Sequence, residues 1–73
     1  MKIGFIGFGN MAQALADGLI RTGAVAPGDM GACARDGEKL RRNAESRGMR
    51  FLKDAAETVD FADWVVVAVK PHQ

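Results

Sequence analysis

Near its start the chain runs Lys2-Ile3-Gly4-Phe5-Ile6-Gly7 straight into Phe8-Gly9-Asn10-Met11-Ala12. This junction limits the possible folds more than any other feature. A short apolar run broken by glycine reads as a buried strand. From Met11 to Thr22, Met11, Leu15, Gly18 and Leu19 fall at helical spacing, with small Ala12, Ala14 and Ala16 between them. Gly23 stands where a glycine closes a helix. A strand turning within two or three residues into a helix is the opening of a strand–helix–strand unit.

The rest of the chain repeats that alternation. Pro27-Gly28-Asp29 is a turn signal, and Met30–Ala34 is a second strand of small and apolar residues. Asp36 is placed to cap a second helix running to about Arg47 and ended by Gly48, and Met49–Leu52 gives a short third strand. Asp54 and Glu57 have capping-box spacing for a brief helix to about Phe61. Trp64–Val69 is β-branched and uncharged, as expected of a strand covered on both faces. Met11, Met30, Met49 and Trp64 read as packing residues, and Cys33 as a small buried hydrophobe.

The order βαβαβαβ implies parallel strands, because each return crosses over through a helix. Right-handed crossovers place the first two helices on one face of the sheet. The expected architecture is α/β: a Rossmann-like parallel sheet in the order 3-2-1-4, the N-terminal portion of a doubly wound domain. The fourth strand would then be an open hydrophobic edge, which calls for further chain to cover it. A length of 73 residues bounds the chain to one domain or less.

Composition excludes several classes of function. Ten basic and nine acidic residues leave a net charge of +1, which calls for neither a nucleic acid nor a membrane partner. No apolar run approaches the roughly 18 residues of a membrane span. A single cysteine excludes an internal disulfide and fits a cytoplasmic setting. No metal-ligand spacing is present.

Gly7 to Ala12 reads G-x-G-x-x-A between strand and helix. Gly7 permits the tight turn, Gly9 lets backbone approach a pyrophosphate, and Ala12 lets helix and strand pack closely. Amides at the helix start, with the positive end of its dipole, then meet the anion. Ile6, Gly7, Phe8, Gly9, Asn10, Met11 and Ala12 are therefore candidate dinucleotide-binding residues. About 20 residues on, where NAD-preferring enzymes carry an acid, the second strand ends in Ala34 and Arg35. An arginine there can pair bidentately with a 2′-phosphate, which favours NADPH and leaves NADH possible. Lys39 adds positive potential, Arg41 and Arg42 read as a solvated helix face, and Asp36, an acid next to Arg35, complicates the picture unless it is only the cap of the second helix. Ala68, Val69, Lys70 and Pro71 lie at the end of the fourth strand, where open α/β sheets bind ligands. Lys70 either acts electrostatically near the nicotinamide or is an exposed strand-end lysine. His72 reads as a loop residue, with proton transfer the alternative.

Taken together, Phe5-Ile6-Gly7-Phe8-Gly9-Asn10-Met11-Ala12, Gly18-Leu19 and Ala68-Val69-Lys70-Pro71 resemble pyrroline-5-carboxylate reductase along the whole chain. The 3-hydroxyisobutyrate and 6-phosphogluconate dehydrogenases are related, but tend to carry a second glycine where Ala12 stands and lack the A-V-K-P run. The resemblance implies hydride delivery from NAD(P)H to the imine carbon of 1-pyrroline-5-carboxylate, giving L-proline. It also implies a longer, homo-oligomeric protein whose helical C-terminal domain dimerises and completes the substrate pocket. By the same resemblance Gly7 to Ala12 would hold the pyrophosphate, Arg35 would lie beside the adenosine ribose, and Ala68 to Pro71 would flank the nicotinamide. The chain departs from the family pattern at Ala55, where many members have an asparagine touching the adenosine part. A nucleotide-binding module without chemistry, and another dehydrogenase of the 3-hydroxyisobutyrate type, are the alternative expectations.

Overall fold

The computed structural model describes residues 1–68. In them β1 spans Ile3–Ile6, α1 Asn10–Thr22, β2 Met30–Cys33, α2 Gly37–Glu45, β3 Arg50–Phe51, α3 Ala55–Phe61 and β4 Trp64–Val67. A 3-10 turn, Pro27–Asp29, leads into β2. All pairings are parallel and the sheet order is β3-β2-β1-β4, as the alternation of the sequence predicts. Each strand stops short of its apolar run, so Ala34, Met49, Leu52 and Ala68 flank strands and do not belong to them. Helix α2 closes at Glu45, before Arg47, and residues 46–48 form a turn in which Gly48 takes φ 78°.

Local chemistry accounts for the helix ends. Gly23 takes φ 76°, and its N–H and that of Ala24 donate to the carbonyls of Ile20 and Leu19. The Asp36 carboxylate accepts from Lys39 N–H at 3.1 Å, and Asp54 from Glu57 N–H at 2.9 Å. The reciprocal arm of the expected capping box is displaced by one residue: the Glu57 carboxylate accepts from Lys53 N–H at 3.1 Å.

Register sorts the side chains onto two faces. Ile3 lies beside Met30 and Phe5 beside Ala32. These four form one buried cluster with Ala12 and Ala16 of α1 and Leu40 and Ala44 of α2. The opposite face presents Gly4 and Gly31, and α3 lies there. A Cβ at Gly4 would come within 2.6 Å of Thr58 Cγ2, and one at Gly31 within 2.7 Å of Leu52 Cδ1. The glycines let α3 press onto the backbone of the sheet. Thr58 is fully buried at that contact, its hydroxyl donating to the Asp54 carbonyl at 2.9 Å.

Across the first face, Arg47 ties α1 to the end of α2, its Nε 2.6 Å from Asp17 Oδ1 and its Nη2 3.1 Å from Oδ2. That hydrogen-bonded pairing holds the Asp17 carboxyl below its ordinary pKa. A carboxyl depressed on folding stabilises above its ordinary pKa, and that contribution disappears as pH falls through the lowered one.

Two expectations need correction. Among the described residues β4 is not covered on both faces: Trp64 is 64% exposed, Val67 66%, and Val65 partly so, while Val66 packs against the core. Its side chains lie beyond helices that cover β1 and β2, and among the described residues β1 is its only strand neighbour. Met11 is no packing residue either; at 83% exposed it stands out from the first turn of α1. Met30, Met49 and Cys33 are buried as expected.

Gly4→Ala should lower stability in urea denaturation by about 1–3 kcal/mol, the usual range for overpacking a tight contact. Gly28→Ala, where a Cβ would meet nothing within 4 Å, should leave it nearly unchanged. Equal stability of both proteins would contradict the close seating of α3.

Candidate functional site

At the carboxyl ends of the strands three backbone bonds gather the chain around one opening. Gly7 N–H donates to the Cys33 carbonyl at 2.7 Å, Ala68 N–H to Ile6 at 2.8 Å, and Leu52 N–H to Ala32 at 2.9 Å. Gly7 makes the turn with φ 92°, a conformation that side chains disfavour. The cleft above these ends has a volume of about 660 Å³, within the range of small-molecule sites.

One wall is Ile6-Gly7-Phe8-Gly9, leading to the start of α1. The helix begins at Gly9 with no side-chain cap and no acidic residue in its first turn. The first N–H groups of a helix have no partners within it, and with the helix dipole they favour an anion. The aspartate caps of α2 and α3 supply that negative charge from within the chain; α1 has no such supply.

Gly9 needs no glycine for its own sake. Its φ is −78°, and a Cβ there would meet nothing within 4 Å. Neither backbone strain nor packing requires a glycine there, and the position lines the cleft. By contrast Gly7 is required by its own dihedral angle.

The opposite wall comes from the ends of β2 and β3. Cys33, Ala34, Arg35 and Asp36 follow one another along the rim, and Lys39, Leu40 and Asn43 of α2 continue it. Lys53, Asp54 and Ala55 close the far side, and Ala68 the near one. Arg35 is exposed and takes no part in the ion pairs found among the described residues. Asp36 both caps α2 and lines the cleft. Arg41 is spent on Glu45, 3.6 Å away, and neither it nor Arg42 lines the cleft.

Of the residues singled out in the sequence, the structure brings Ile6, Gly7, Phe8, Gly9, Ala34, Arg35 and Ala68 to this one cleft. Asn10 and Met11 sit exposed on the first turn of α1, and Ala12 is buried beneath it, its side chain packed in the core. Val69, Lys70, Pro71 and His72 lie outside the described residues. Leu40, Asn43, Lys53 and Asp54 were not singled out as site residues. The rule that ligands lie at strand carboxyl ends reaches Lys53 and Asp54 when it is applied to the short β3 as well.

Fold and cleft define a Rossmann-like α/β unit with its opening at the carboxyl edge of a parallel sheet. The chain belongs to the family described as NADP oxidoreductase, coenzyme F420-dependent, whose model matches residues 2–73. It is 42% identical over its whole length to the pyrroline-5-carboxylate reductase of Treponema pallidum, covering 28% of that protein. It is 39% identical over 70 residues to that of Escherichia coli, covering 26% of it. The solved structure of a pyrroline-5-carboxylate reductase from Coxiella burnetii superposes with a TM-score of 0.86 at 40% identity, over 99% of this chain and 26% of that one. The chain thus spans little more than a quarter of these relatives, in their N-terminal part.

Gly9→Ala should separate binding from stability. Loss of a preferred glycine at the helix start and the stiffer unfolded chain act in opposite directions, so unfolding free energy should stay within about 1 kcal/mol of the parent. Affinity for a pyridine nucleotide in a fluorescence titration should fall by about tenfold or more, at 1.4 kcal/mol per decade. Unchanged affinity would show that Gly9 does not face the ligand.

Proposed function

We propose that the protein carrying this chain reduces 1-pyrroline-5-carboxylate to L-proline with NADPH, and that residues 1–73 supply its dinucleotide-binding part. The observation that carries the proposal is the uncapped start of α1 behind a Gly9 whose missing side chain the fold itself does not require. Similarity to pyrroline-5-carboxylate reductases along the whole chain supports the substrate.

The residues fit the cofactor in three places. Gly7, Phe8 and Gly9 with the first-turn amides of Asn10, Met11 and Ala12 would take the diphosphate. Ala34 and Arg35 would take the adenosine ribose, with the guanidinium on the 2′-phosphate and Lys39 adding positive charge. Ala68, with Val69, Lys70 and Pro71 after it, would border the nicotinamide. When bound, NADPH supplies a hydride to the imine carbon, and the ring nitrogen ends protonated, so the C=N bond becomes CH–NH.

This chain's residues anchor and orient the donor. The groups that hold the substrate belong to a helical C-terminal domain through which two copies pair, in the part of the relatives beyond the span matched here. A cytoplasmic setting accords with this reading.

Full-length protein mixed with NADPH and pyrroline-5-carboxylate should consume the two in equal amounts and yield proline. Arg35→Ala should weaken NADPH binding by roughly 1.5–3 kcal/mol, the scale of a charge-assisted hydrogen bond, and barely alter NADH. No proline, or equal losses for both nucleotides, would refute the activity and the role of Arg35 respectively.

A further inference from the structure

Behind the glycine loop, two side chains that do not line the cleft, Gln13 and Arg47, hold the backbone of two residues that do, Phe8 and Asn43. Gln13 Nε2 donates to the Phe8 carbonyl at 3.0 Å. Gln13 Oε1 accepts from Arg47 Nη2 at 3.2 Å. The same guanidinium holds Asp17 through two bonds and donates to the Asn43 carbonyl at 2.8 Å. Its carbon also lies 5.6 Å from the centre of the Phe8 ring, whose edge-on partner is Phe5.

We infer that Gln13 is a positioning residue for the diphosphate loop, set in its working orientation by Arg47. The inference rests on the reading of Gly7 to Ala12 as the diphosphate seat. An amide side chain can present either its oxygen or its NH₂ to a neighbour. A guanidinium only donates, so Arg47 claims the oxygen and turns the NH₂ of Gln13 onto Phe8. The Phe8–Gly9 peptide is planar and trans, with its C=O and N–H opposed. Tethering the carbonyl toward α1 therefore turns the Gly9 N–H the other way. Phe8 and Gly9 line the cleft while Gln13 and Arg47 do not, so that other way is the cleft side. The buried Phe8 ring, held between Phe5 and Arg47, resists rotation of the same residue. Both the ring and the carbonyl of Phe8 are thus fixed before any anion arrives, and less ordering is left to be done on binding.

The test uses full-length protein and three ligands: NADPH, NADH and adenosine 2′-monophosphate, which lacks the diphosphate. Gln13→Met removes the Phe8 tether and leaves Arg47 bound to Asp17 and Asn43. Asp17→Asn weakens the ion pair and leaves the tether. Gln13→Met should weaken NADPH and NADH alike, by about five- to tenfold, the scale of one lost hydrogen bond, and leave adenosine 2′-monophosphate unmoved. Asp17→Asn should lower the melting temperature with all three affinities within about twofold. If the methionine variant does not fold, Gln13→Asn, too short to span the gap, is read the same way. Gln13 variants that bind both dinucleotides as the parent does, or lose all three ligands equally, would overturn the inference. A parent protein that binds neither dinucleotide would overturn the diphosphate seat itself.

Discussion

At Gly7 the backbone takes φ 92° and donates to the Cys33 carbonyl at 2.7 Å, and both the core and the cleft are consequences of this turn. It ends β1 level with β2 and sends the chain back over the sheet as α1. The unpaired amides at the start of that helix consequently sit at the carboxyl edge, between the ends of β2 and β4. With a less acute turn the helix would begin farther from the sheet, and Ala12 and Ala16 would not reach Phe5 and Met30. The same geometry makes a core for the chain and leaves the start of α1 without a side-chain cap at the rim of the cleft.

The two faces of the sheet are built on opposite principles. The face under α1 and α2 is filled by Ile3, Phe5, Met30 and Ala32 meeting alanines and Leu40. The face under α3 is emptied, with Gly4 and Gly31 giving a seven-residue helix direct access to the backbone. β4 takes little from either helix layer, and its exposed Trp64, Val65 and Val67 form an apolar border to the described residues.

Topology was legible in the sequence because it rests on patterns that need no tertiary knowledge: apolar runs of four to six residues, aspartate caps at 36 and 54, and glycines at 23 and 48. The loop at 7–9 and the rim at 34–35 were legible for a similar reason, since strand ends and their spacing are linear features. What was not legible depended on which side of an element faces what. Gly4 and Gly31 look like weak strand residues until α3 is placed over them. Met11 and Trp64 look like core residues, because apolar character says nothing of where the helix layers stop. Lys53 escaped notice because β3 is only two residues long, and Gln13 because its partner Arg47 is 34 residues away.

In the proposed function the amides of the glycine loop and the first turn of α1 receive the diphosphate of a dinucleotide. Backbone amide chemical shifts followed by NMR during addition of NADPH report on that contact at each residue. Gly9, Asn10, Met11 and Ala12 should move most and saturate together with the rim at Arg35. Saturation of the protein with these four amides unmoved, and the shifts gathered instead along β4 or on the outer side of α2, would contradict it.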